Sequence, residues 1–139
     1  APRAVIFAQA LPEPEVSPEA AAAAGAAIVA SGLYDYPNVI SNLHSTPGIM
    51  RGALDVRAAS LNDNLFLSAA RALASVVDRR MLGPRHIMPD LFCDEVVPKV
   101  AEAVAQAAVA DGLAAHPLPK GQVYNDTWER LFGGRAARL

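Results

Sequence analysis

The chain has 139 residues, one domain's worth or part of a larger one, and a chain of that size buries roughly two-thirds of its unfolded surface. Its formal net charge is −2, from 12 basic and 14 acidic residues, which argues against a nucleic-acid or other polyanionic partner. The single cysteine, Cys93, excludes an intrachain disulfide and fits a reducing compartment such as the cytoplasm. No apolar run approaches the ~20 residues of a membrane span. The first residues, Ala1-Pro2-Arg3 and a short apolar run, lack the long apolar region of a signal peptide. Hydrophobic residues make up 53% of the chain, but alanine dominates them and each alanine buries little area, so the core is expected to need a partner surface.

In chain order, residues 4–8 form a short apolar run closed by a proline-rich stretch, the pattern of a strand buried on both faces of a parallel sheet. Pro12 and Pro14 exclude helix in the stretch that follows. Ser17-Pro18-Glu19 is a helix start, with a hydroxyl at the cap, proline in the first turn and an early acid. The helix runs through the alanines to residue 24 and stops at Gly25. Residues 27–30 are a second buried strand, ended by Ser31-Gly32, and strand–helix–strand is the unit of a parallel α/β sheet. Residues 32–46 are a long polar connection, a candidate functional loop.

Beyond it the pattern is helical. One helix is expected over 47–57. A second is expected over 62–77, with Leu61, Leu65, Phe66, Ala69, Leu73 and Val76 on its apolar face. Gly83-Pro84 and Met88-Pro89-Asp90 interrupt the chain. A third helix over 96–110 carries a stripe of Val97, Val100, Ala101, Val104 and Ala108, and Gly112 caps it. A last helix is expected over 125–132, where Trp128 and Phe132 stand four apart as a packing pair, before a basic end with Arg135 and Arg138 that frays.

Little here reads as catalytic chemistry. There is no G-x-G-x-x-G after a strand, no phosphate loop and no H-E-x-x-H. His44, His86 and His116 lack ligand spacing, and no carboxylates cluster as a metal cage. Asp94 and Glu95 read as acids at a helix start, and Cys93 beside them as a packed thiol. The exception is the run from Tyr36 to Leu43, which sets Asn38, Ser41 and Asn42 just beyond the C-terminal end of the second strand. Open α/β sheets bind ligands at that edge, and a carboxamide offers donors and an acceptor to a hydroxy acid or a nicotinamide. An asparagine-rich turn that satisfies its own backbone fits the same composition.

Several segments taken together carry a resemblance. They are Phe7-Ala8 with Pro12, Pro14 and Glu15; Gly25 to Gly32; Pro37-Asn38; and above all Pro47-Gly48-Ile49-Met50-Arg51-Gly52-Ala53-Leu54-Asp55-Val56-Arg57-Ala58. These, with Ile87-Met88-Pro89 and Val96-Val97-Pro98, resemble the bacterial-type malic enzymes through to Gly112. The resemblance implies a helix-rich α/β fold with a small parallel sheet, the C-terminal part of a Rossmann-like NAD(P)-binding domain over residues 1–116. Residues 117–139 have no counterpart in it and are expected to be a tail with a short docking helix. It implies the oxidative decarboxylation of L-malate to pyruvate with NAD or NADP and a divalent Mg or Mn ion. The family's acid, base, metal ligands and glycine-rich loop precede the matched region, so no catalytic or metal residue is assigned to this chain, which alone is not expected to turn over. Substrate contact falls to Ser41 and Asn42, and the cofactor side to Ala8, Asn38 and Asn42. The implied partner is a second copy or the N-terminal part of the enzyme.

Two positions depart from the family. Leu11-Pro12 stands where it has an Asn-Pro that touches malate and nicotinamide, and Ser41 replaces the first of two paired asparagines. Each lost polar contact costs about 1–3 kcal/mol. The alternative reading is therefore a non-catalytic binding or scaffolding module descended from the same domain.

Overall fold

The computed structural model describes residues 3–133, so the basic end at Arg135 and Arg138 lies outside the described residues. The chain forms two compact units, Ala1–Asn42 with Val77–Leu91, and Leu43–Val76 with Phe92–Leu139.

The first unit holds β1 (Val5–Ala8), α1 (Pro18–Ala23) and β2 (Ile28–Ser31). The strands pair in parallel, in a register running from Val5 opposite Ile28 to Ala8 opposite Ser31. The Ser17 hydroxyl caps α1 by accepting the Ala20 N–H at 3.1 Å. Gly25, with φ at +92°, turns the chain out of α1, while the N–H groups of Gly25 and Ala26 donate to the carbonyls of Ala22 and Ala21. β2 is buried as expected at Val29, Ala30 and Ser31. β1 is not, because Val5 is 51% and Phe7 50% exposed. Among the described residues the sheet has two strands; Val5 and Phe7, two apart and so on one face of β1, lie on its exposed face, and the expectation of burial on both faces fails there.

The second unit holds α2 (Thr46–Asp55), α3 (Asp63–Val76), α4 (Val96–Ala110) and α5 (Gln122–Phe132). α4 is its axis, and the other three helices all pack against it. The composition of α4 explains this: eight of its residues are buried, all of them alanine, valine or Pro98. The stripe differs from the expected one in that Val96 and Pro98 are buried and Val97 is only half-buried. On α3, Leu65 and Ala69 are buried but Phe66 is 48% exposed. Phe66 follows Leu65 by one residue, about 100° around the helix, and a narrow alanine-rich partner covers less of the arc than a wide apolar stripe suggests.

Close approach replaces side-chain bulk. A Cβ at Gly48 would lie 2.6 Å from the Cβ of Val100, and one at Gly52 would run into the carbonyl of Ala101. α5 begins at Gln122, earlier than expected, because Glu102 of α4 reaches across to its first turn. One carboxylate oxygen of Glu102 accepts the Gly121 N–H at 2.6 Å and the other the Tyr124 N–H at 3.1 Å. That cap comes from another helix, so no local signal announces it. On α5, Tyr124 and Trp128 stack at 6.0 Å, and Trp128 meets Phe132 at 4.8 Å, which extends the expected aromatic pair to three rings. Arg130 of the same helix pairs with Asp55 of α2 at 3.2 Å, and Arg51 pairs with that same carboxylate.

Three outcomes test this packing. Gly52→Ala is expected to destabilise the chain by about 2 kcal/mol or more in urea unfolding, because backbone lies where the methyl must go. Arg57 ends α2 with φ at +50°, so Arg57→Gly is expected to stabilise the chain by about 0.5–1 kcal/mol. Asn62 and Asn64 donate to Asp111 and hold its carboxyl below the usual range. A depressed folded pKa gives stability that is present above the ordinary aspartate pKa of about 3.9 and lost as pH falls through the folded value. Asp111→Asn should flatten that acid limb of the stability profile.

Candidate functional site

β1 and β2 end level with each other, at Ala8 and Ser31. From there the chain turns back on itself instead of leaving the sheet. The Gly32 N–H donates to the Ala8 carbonyl at 3.0 Å, and the Ser31 hydroxyl accepts the Leu33 N–H at 3.2 Å. Residues 33–37 then loop out, with Tyr34 61% exposed, and the chain returns to the end of β2. There the Ser31 N–H donates to the Asn38 carbonyl at 3.0 Å and the Ile40 N–H to the Ser31 carbonyl at 2.8 Å, so Val39 bridges Ser31 in parallel. Two residues further on stands Asn42, which opens a short 3-10 helix, Asn42–His44.

The expected site residues therefore share one edge. Ala8 is buried at the tip of β1 and linked through Ser31 to Asn38. Ser41 is half-buried, and Asn42 is exposed. Asn38 is different, being only 1% exposed. Its Nδ2 donates to the carbonyls of Val29 at 2.9 Å and Pro84 at 2.8 Å, and its Oδ1 accepts the Ile87 N–H at 3.0 Å. Pro84 belongs to a tight turn in which Gly83 and His86 exchange both backbone hydrogen bonds.

Two further residues shape this edge: Ser31, not singled out from the sequence, and Leu11, noted there as a departure from the family pattern. Ser31, fully buried, is where the strand ends and the loop returns, and the Ser-Gly that stops the apolar run was its signal. Leu11 is 57% exposed, its bond to Pro12 is cis, and its Cδ2 lies 3.2 Å from where a Cβ on Gly32 would stand. An apolar group thus sits against the start of the loop. Just before it the Ala10 N–H donates to the Glu15 carboxylate at 3.1 Å, and this and neighbouring backbone N–H groups hold the Glu15 carboxyl below its usual range.

The remaining candidates are dispersed. His44 is buried in the 3-10 helix, His86 stands in the turn at Pro84, and His116 is exposed. Cys93 packs half-buried against the core of the second unit. Among the described residues no group of three or more His, Cys, Asp or Glu is placed to hold a metal ion, so these residues do not by themselves fit a divalent-metal cage. No described helix is long and apolar enough to cross a membrane.

The family profile described as "Malic enzyme, NAD binding domain" matches residues 5–109. The bifunctional malic/malolactic enzyme of Bacillus subtilis (strain 168) is 46% identical over 123 residues, which are 88% of this chain and 30% of that protein. The NADP-dependent malic enzyme of Escherichia coli (strain K12) is 36% identical over 137 residues, 88% of this chain and 18% of that protein. The crystal structure of malic enzyme from Pyrococcus horikoshii Ot3 superposes with a TM-score of 0.86 at 38% identity, covering 99% of this chain and 33% of that one. The Entamoeba histolytica malic enzyme gives 0.87 at 38% identity, covering 95% and 27%. The chain thus spans less than a third of the length of these curated relatives. With the parallel pair, the returning loop and this match over most of its length, the chain belongs to the malic enzyme NAD-binding-domain family.

Proposed function

We propose that this chain supplies the later part of the nucleotide-binding domain of an NAD(P)-dependent malic enzyme, which oxidatively decarboxylates L-malate to pyruvate. The observation that carries the reading is the shared edge: strand ends at Ala8 and Ser31, and a loop that returns to present Ser41 and Asn42 there. Asn42, with two donors and an acceptor, and the Ser41 hydroxyl are the substrate contacts. Ala8, Asn38 and Asn42 belong to the cofactor side, where a small methyl at the strand tip leaves room for a flat ring, Asn42 adds a hydrogen-bonding amide and Asn38, its own amide spent on the backbone, supports the loop from beneath. Relatives named for NAD and for NADP are both similar to the chain, so the cofactor class is a nicotinamide dinucleotide. When bound, the cofactor accepts the hydride; this chain's residues bind and orient.

In this reading the acid, base, metal ligands and glycine-rich loop come from outside these 139 residues, and the chain alone is inactive. Residues 1–116 are the family-derived part and 117–139 a docking tail, held through the Glu102 cap on α5. The setting is cytoplasmic. The partner is a second copy or the N-terminal part of the enzyme, and the half-exposed side chains of Val5 and Phe7 on β1 are the surface that needs it. The second reading, a binding module with a changed ligand, draws on one observation: Leu11, an apolar group, lies against the loop where the family has an asparagine.

The purified chain is expected to show no malate-dependent reduction of NAD or NADP with Mg²⁺ or Mn²⁺, and turnover above a buffer blank would contradict its inactivity. Light scattering at micromolar concentration is expected to show self-association, and a stable monomer of 14.6 kDa would remove the argument for a partner. A chimera of the Bacillus subtilis relative carrying residues 5–109 at the matched position is expected to oxidise malate weakly. In it, Leu11→Asn should raise kcat/KM about tenfold or more, since a restored polar contact contributes about 1–3 kcal/mol. A folded chimera that neither turns over malate nor gains from Leu11→Asn would favour the changed-ligand module.

A further inference from the structure

We infer that Asn38 is a positioning residue: its buried carboxamide fixes the loop that carries Ser41 and Asn42, and it acts on malate only through that loop. The inference rests on the proposed malic-enzyme reading for its substrate, though not for its geometry.

The argument is one of hydrogen-bonding capacity. A carboxamide has two N–H donors and an acceptor oxygen. Both donors of Asn38 are spent on main-chain carbonyls, Val29 in β2 and Pro84 in the 83–86 turn, and its oxygen takes the Ile87 N–H. With no free N–H and 1% exposure, the side chain has nothing left to donate to a ligand. Its backbone carbonyl is also in use, accepting from Ser31. Three segments of one unit, β2 at Val29, the returning loop and the turn, therefore meet on one side chain.

No other residue type does this at the same length. Aspartate keeps the acceptor but loses both donors and adds a buried charge, and alanine strands two carbonyls and one N–H. Because Ile40 bonds back to Ser31 only two residues after Asn38, the path from the clasp to Ser41 and Asn42 is too short to absorb a shift. Misplacing a contact by about 1 Å can cost on the order of a hundredfold in rate.

The test pairs a binding readout with an exchange readout. In the chimera described above, Asn38→Ala and Asn42→Ala are each expected to lower kcat/KM for malate about tenfold or more. Adding Asn38→Ala to a Ser41→Ala/Asn42→Ala variant should lower kcat/KM no further, within about twofold, because Asn38 works through those two residues. Additive losses would show a general structural role and overturn the inference, as would an Asn38→Ala variant with unchanged kcat/KM. In the 139-residue chain, Asn38→Ala is expected to speed amide exchange at Ile87 and Ile40 at least tenfold while α4 stays protected; unchanged exchange at Ile40 would equally overturn it. If the unsubstituted chimera lacks turnover, the malic-enzyme reading fails, and the exchange result alone decides whether Asn38 holds the loop.

Discussion

Backbone polar groups at the end of a two-stranded sheet have few partners, and this constraint organises the first unit. Between Gly32 and Asn42 the chain leaves β2 and returns without forming a regular element, so its main-chain groups have no ladder to join. Ser31 is their main partner: its N–H donates to the Asn38 carbonyl, its carbonyl accepts the Ile40 N–H and its hydroxyl accepts the Leu33 N–H, while the Asn38 carboxamide ties the loop to Val29, Pro84 and Ile87. A buried group left unpaired costs about 1–3 kcal/mol. The loop therefore has one well-satisfied arrangement, and a defined place for Ser41 and Asn42 follows from it.

The second unit solves a different problem. Around Leu65 its core is built from alanine and valine, with Gly48 and Gly52 buried beside them, and these small residues bury little area each. α2 and α4 compensate by approaching until Gly48 and Gly52 touch the backbone and side chains of Val100 and Ala101. Dispersion gains from such close contact are small singly and large in sum. Polar clasps then fix the outer helix: Glu102 caps α5, and Asp55 of α2 holds Arg130 of α5.

In the proposed reading, the edge at Ala8 and Ser31 binds and orients, and the reacting groups come from elsewhere in the enzyme. An amide, a hydroxyl and a methyl suit a neutral ring and a hydroxy acid. Leu11, exposed and packed against Gly32, puts an apolar side chain at the start of the loop on that edge.

The sequence by itself determined the local features. The Ser17 cap, the glycine stop at Gly25, the parallel strand–helix–strand order and the long helices at 63–76 and 96–110 were legible because each depends on periodicity or on residues three or four apart. The family was legible from the block at residues 47–58, and the edge that bears Ser41 and Asn42 from its place after the second strand. Only tertiary structure decided the rest. That Asn38 spends its amide on Pro84 and Ile87, 46 and 49 residues away, has no local signal. Neither has the cap that Glu102 provides, which starts α5 at Gln122. The exposure of β1 at Val5 and Phe7 is likewise decided by the fold: an apolar run reports what a strand needs covered, and the surrounding elements decide whether it is.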